Sequence, residues 1–249
     1  MCGRFTLHHT TEEIADRFQV QQIEFSPTPR FNIAPSQPLA IVRQEKETGA
    51  RLLEGYQWGL IPFWAKDPKI GQQMINARAE SLADKPAYKS ALTRRRCIIP
   101  ADGFYEWKKL DAKAAANGNG NSNESDGKRP KAKSGPRQPT LIGLHDDKIF
   151  GFAGLWEEWH SPDGSPIRTC TIITTSPNQL MASIHDRMPA ILRPEDEAIW
   201  LDTNENDVPE LVSLLRPYDD EAMRAHPVAK LVNSPGFDTP DCIQSIEGD

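Results

Sequence analysis

Ile149-Phe150-Gly151-Phe152-Ala153-Gly154-Leu155-Trp156 and, one turn later, Thr169-Cys170-Thr171-Ile172-Ile173-Thr174-Thr175 decide the fold class. Both runs are rich in β-branched and aromatic residues and are bounded by turn formers, the signature of buried strands. Working outward, 39–42, 52–58, 97–100 and 141–144 read as further strands, and the proline-rich 25–38 as extended chain. Between them lie helical stretches. Thr10 and Glu13 stand at capping-box spacing, and Ile14 and Phe18 share one face of a helix over 10–18. Short helices are expected at 77–83 and 86–92. Ser176-Pro177 predicts an N-cap with a first-turn proline, opening a helix to about Ile184. Two more are expected at 194–201 and 208–214. Strands and helices mix without a regular βαβ rhythm, which predicts an α+β domain built on a mainly antiparallel sheet.

The chain has 249 residues, 38% hydrophobic and 26% charged, as ordinary globular domains do. No apolar run approaches the roughly 18 residues of a membrane span, and no signal peptide is visible, so a cytoplasmic protein is expected. The formal net charge of −6 argues against indiscriminate duplex binding, which depends on neutralising phosphates. Nucleic-acid contact must therefore come from particular residues. The segment 111–139, with Asn117-Gly118-Asn119-Gly120-Asn121 and then Lys128-Arg129-Pro130-Lys131, cannot bury a core and is expected to be a disordered loop between two strands. The four cysteines form no CxxC pair. His8 and His9 are adjacent but have no carboxylate or Cys partner at ligand spacing, so neither metal nor cofactor is expected.

Cys2 differs from the other cysteines. Removal of Met1 would leave an α-amine and a thiol on one residue, a 1,2-aminothiol. The amine condenses with an aldehyde to an imine, and the thiol closes on it to a five-membered thiazolidine. The second step is intramolecular and gains a large effective molarity. An ordinary α-amine titrates near ~8, so a neutral fraction is present at pH 7. Three later clusters carry polar groups among structural residues: Asn76-Ala77-Arg78-Ala79-Glu80, Gly103-Phe104-Tyr105-Glu106-Trp107 and His185-Asp186-Arg187-Met188-Pro189. Taken singly, Glu106 also fits a solvated strand position and His185 a helix cap.

Together with Met1-Cys2-Gly3-Arg4-Phe5, Asn32-Ile33-Ala34-Pro35 and Trp58-Gly59-Leu60-Ile61-Pro62, these motifs stand in the order that resembles the SRAP family. A late His226-Pro227-Val228 with Val232-Asn233 fits its ending. The resemblance implies a single domain over 2–233, interrupted by the 111–139 loop, with a barrel-like twisted sheet flanked by helices and a C-terminal tail over 234–249. It implies Cys2 as the group that bonds an abasic site in single-stranded DNA, in answer to DNA damage. Asn76 resembles the residue that orients the amine and the lesion, Glu106 the acid/base residue of sugar ring opening, and His185 the proton donor of imine chemistry. Arg4, Arg78 and Arg187 match positions expected to grip phosphates, Trp64 and Trp107 positions that stack on bases, and Pro35 a wall of the pocket. Nothing in the sequence suggests an obligate oligomer, so a monomer acting at the nucleoid is expected. Two other readings stay open: a cysteine peptidase or amidohydrolase built from Cys2, His185 and Glu106, and a non-covalent single-strand binder.

Overall fold

The computed structural model describes residues 2–110 and 135–246. Strand β1 (Phe5–Leu7) leads into helix α1 (Thr11–Phe18). Thr10 closes the expected capping box: its hydroxyl accepts the Glu13 N–H at 3.2 Å, and the Glu13 carboxylate accepts the Thr10 N–H at 2.8 Å. Four strands follow: β2 (Gln22–Ile23), β3 (Arg30–Ile33), β4 (Pro38–Gln44) and β5 (Arg51–Trp58). The middle of the chain holds β6 (Asn76–Arg78), α2 (Pro86–Arg94), β7 (Arg96–Ala101), β8 (Gly103–Lys109), β9 (Arg137–Leu144), β10 (Phe150–His160) and β11 (Pro166–Thr175). The last part comprises α3 (Gln179–Ala182), β12 (Met188–Pro189), β13 (Ile191–Leu192), α4 (Pro194–Leu201), α5 (Val208–Ser213) and β14 (Met223–Pro227).

The strands form two sheets. One runs β14-β9-β8-β1-β3, antiparallel throughout. The larger runs β12-β11-β10-β7-β4-β5-β2. In it β5 also pairs in parallel with β11 (Thr169↔Gln57, Cys170↔Trp58), which closes β11, β10, β7, β4 and β5 into a ring. Closure removes the exposed edges that an open sheet must otherwise protect. The domain is α+β with a barrel-like sheet, as expected. β1 joins the two sheets: Phe5 packs edge-on against Trp58 at 5.4 Å and Phe152 at 5.8 Å, inside a core that also buries Phe104, Phe150 and Trp200. Trp58 is fully buried and its Nε1 donates to Ile75 O at 2.8 Å. Beside it the backbone turns at Gly59, whose φ is +125° and where a Cβ would fall 2.6 Å from Gly71 O.

Three sequence expectations need correction. The helix expected at 77–83 is absent. Asn76–Arg78 instead extends as β6, parallel to β11 (Ile172↔Asn76, Thr174↔Arg78), and only Ala79–Ser81 makes a single 3₁₀ turn. Pairing with β11 outweighs a weak local preference. The helix expected after Ser176 begins later: Asn178 is its N-cap, accepting the Met181 N–H at 2.9 Å, and Pro177 lies before the cap. Of the loop expected at 111–139, Arg137 to Pro139 already belong to β9, while 111–134 lie outside the described residues. Its two mouths are close, for the Leu110 N–H donates to Pro136 O at 3.0 Å.

The segment after Asn233 docks against β3. The Asp238 carboxylate accepts the backbone N–H groups of Phe31 and Asn32 and pairs with the Arg30 guanidinium. The buried Asn32 amide donates to Ser234 O at 3.0 Å and Phe237 O at 2.7 Å. Among the described residues no helix is long and apolar enough to cross a membrane.

Candidate active site

The two sheets and the turn before β12 bring four side chains together. Cys2 precedes β1, and the Tyr105 N–H donates to Arg4 O at 2.9 Å, so β8 runs alongside the N-terminal arm. Side chains alternate along β8. Phe104 faces the aromatic core, and Glu106, on the same side, is 3% exposed rather than solvated. Asn76, at the start of β6, donates through Nδ2 to Cys2 O at 2.8 Å. Its Oδ1 is buried and has no hydrogen-bond donor among the described residues. His185, after α3, accepts the Arg187 N–H on Nδ1 at 3.1 Å. Its Nε2 lies 4.0 Å from Glu106 Oε2. Asp186 Oδ1 lies 2.8 Å from the same Nδ1.

Cys2 is fully buried. Burial, and then the charge of Glu106, push its thiol well above the ordinary cysteine range. At neutral pH the sulfur is therefore a thiol. That is the reverse of an activated cysteine peptidase nucleophile, whose pKa is depressed.

The arginines are held differently from one another. Arg4 donates to Asn32 Oδ1 at 2.8 Å, to Val232 O and to Asn233 O at 3.3 Å, so it ties the N-terminal arm to the C-terminal segment. Burial lowers its pKa from the usual arginine value. Arg187 grips Glu80 with both terminal nitrogens, at 2.6 and 3.0 Å, and also reaches Thr174 O. Those bonds hold the Glu80 carboxyl below the usual carboxylate range. Arg78 is exposed two residues before Glu80. Trp107 donates through Nε1 to Asn233 Oδ1 at 2.7 Å. Trp64, half exposed, borders an open groove of about 760 Å³ with Phe63, Pro86 and Lys89 of the α2 region. Pro35 sits in the turn between β3 and β4, where Ser36 adopts φ +70° and the Gln37 N–H donates to Ala34 O at 3.3 Å. No hydrogen bond joins Pro35 or Trp64 to the group around Cys2.

Two partnerships escaped the sequence reading. Glu80 was visible inside a motif, but nothing in its spacing pointed to Arg187, 107 residues away. His8 and His9 do have a carboxylate beside them, Asp102, supplied by the junction of β7 and β8.

Comparison with known proteins shows the family. The family described as SOS response associated peptidase (SRAP) matches residues 1–235. The abasic site processing protein YoqW of Bacillus subtilis is 46% identical over 247 residues, covering 98% of this chain and 100% of its own. The abasic site processing protein HMCES of Gallus gallus is 35% identical over 232 residues, 88% of this chain and 67% of its own. A crystal structure of a Bacteroides thetaiotaomicron protein superposes with a TM-score of 0.79 at 25% identity, covering 99% of this chain and 100% of that one. With a family match along nearly the whole sequence and the same motifs gathered around Cys2, the chain belongs to the SRAP family.

Proposed function

We propose that this protein processes abasic sites in single-stranded DNA by forming a thiazolidine between Cys2 and the ring-opened sugar. Once Met1 is removed, the neutral α-amine of Cys2 attacks the C1 aldehyde and a carbinolamine forms. Loss of one water gives the imine. The Cys2 S–H then adds across C=N: sulfur bonds to carbon, the thiol proton goes to nitrogen, and the ring closes. Glu106 takes the C1 hydroxyl proton as the sugar hemiacetal opens and returns it to the ring oxygen, which leaves as the C4 hydroxyl, and His185 Nε2–H supplies a proton to the departing water. The unused Asn76 Oδ1 accepts an N–H of the amine and aims its lone pair at the aldehyde.

The observation that carries this reading is the buried Cys2 held by Asn76, with the Glu106–His185 pair next to it. An imine-first route uses a thiol; a peptidase needs a thiolate. Relatives named abasic site processing proteins support the same substrate. Exposed Arg78 is the first phosphate contact in this proposal, and Arg187 joins it when Glu80 lets go. Trp64 offers a stacking face, whereas Trp107 and Arg4 brace the pocket through Asn233. The protein is proposed to act as a monomer in the cytoplasm, at the nucleoid.

Intact-protein mass spectrometry tests the proposal. Untagged protein mixed with a single-stranded oligonucleotide bearing one abasic site should give a heat-stable adduct at the summed mass minus one water. Cys2→Ala and an uncleaved N-terminal extension should both abolish it, and an undamaged oligonucleotide should give none. A stable adduct in Cys2→Ala overturns the mechanism.

A further inference from the structure

At the junction of β7 and β8, Asp102 gathers two imidazoles from consecutive positions. Its side chain is fully buried, while those of His8 and His9 are 28% and 21% exposed. His8 Nδ1 lies 2.9 Å and His9 Nδ1 3.1 Å from the same oxygen, Oδ2. The ligand-capable atoms of the three residues all lie within 4.8 Å of one another. Small rotations of the imidazoles bring such a set to the ~2.0–2.2 Å bonds of a tetrahedral zinc-class ion.

Three further features support a metal centre over a plain hydrogen-bonded cluster. His8 Nδ1 is buried 2.9 Å from the carboxylate but makes no well-aligned hydrogen bond to it. The carboxylate is oriented from behind, as metal-binding carboxylates are: the Thr6 hydroxyl donates to Oδ1 and the His8 N–H donates to Oδ2 at 2.6 Å. The His8 ring is also fixed, stacked on Phe31 at 5.4 Å and 16°. Both imidazoles are partly exposed, so a water can serve as the fourth ligand.

We propose that His8, His9 and Asp102 bind one divalent cation of the zinc class. Two nitrogens and one oxygen suit a borderline later first-row metal, not magnesium or calcium, which take oxygen ligands. The ion fastens the arm between β1 and α1 to the β7–β8 junction. Thr6 pairs with Gly103 there, whereas Cys2 and Glu106 lie at the other end of the same strand pair, about 13 Å away by strand rise. The centre is thus a brace behind the nucleophile's strand, separate from the reacting groups.

The test uses untagged, chelator-stripped protein carrying Cys2→Ala, which removes a competing chelate. After dialysis against Zn²⁺, elemental analysis should find one equivalent, and zinc should raise the melting temperature. In His8→Gln/His9→Gln made in the same background, with an unchanged circular dichroism spectrum, both effects should be lost. If that variant fails to fold, Co²⁺ loaded into the parent decides. Tetrahedral d–d bands without a sulfur-to-cobalt charge-transfer band support the site. No retained metal, metal retained equally by the double variant, or a thiolate charge-transfer band overturns it.

Discussion

Removing a single proton carrier should separate chemistry from binding at this site. His185→Ala is expected to slow adduct formation by about 10²-fold, the usual cost of a lost general acid, with little change in affinity for single-stranded DNA. Quenched-flow kinetics and fluorescence anisotropy on the same protein check the two parts. Glu80 should behave in the opposite way. It occupies Arg187 at neutral pH, so Glu80→Gln should tighten single-strand binding several-fold and steepen its salt dependence by about 0.7 in log–log slope, the value of one further phosphate. Anisotropy titrations over a salt series read that slope. The pH dependence has a definite sign. Because the folded-state pKa of Glu80 is depressed, the Glu80–Arg187 pair is fully present above the ordinary glutamate value near ~4.3, and it is lost as pH falls through the lower folded value. Cys2 and the three residues around it were legible in the sequence because motif order names them. Asp102 and Glu80 were not, because their partners stand 93 or more residues away and only the fold brings them together.

Local chemistry fixed some elements and tertiary pairing fixed others. The capping box of α1 needs only four consecutive residues and was readable from them; Thr10→Ala should cost about 1 kcal/mol in urea unfolding. β6 depends on a partner far along the chain. Asn76 to Arg78 become a strand only because β11 offers them backbone groups, and no periodicity over three residues announces that. The turn at Gly59 is a stricter constraint. Ala there would combine a positive φ with a Cβ 2.6 Å from the Gly71 carbonyl, so Gly59→Ala should destabilise by about 2–4 kcal/mol, or fail to fold. Denaturant midpoints for Gly59→Ala against a Gly49→Ala control, where φ is +74° but space is open, separate the clash from the backbone strain.

Across the molecule, the α+β class was legible from the alternation of strands and helices, but ring closure was not. It rests on one parallel pairing, β5 with β11, between segments more than 100 residues apart. Nor did composition show that the residues after Asn233 belong to the body. Asp238 holds Arg30 and two backbone N–H groups of β3, so truncation after Asn233 should lower the melting temperature and expose those donors. Calorimetry of the shortened chain measures it. The hairpin of β8 and β9 has one more consequence. Its strands remain paired as far as Lys109↔Arg137, and Leu110 bonds Pro136, so the fold already joins the two ends of 111–134. An affinity handle or a fluorophore can be spliced in there, at the mouth of a hairpin that closes without it. The protein can then be purified and tracked while its amino terminus, where a fusion would acylate the nitrogen that the proposed chemistry needs, stays native.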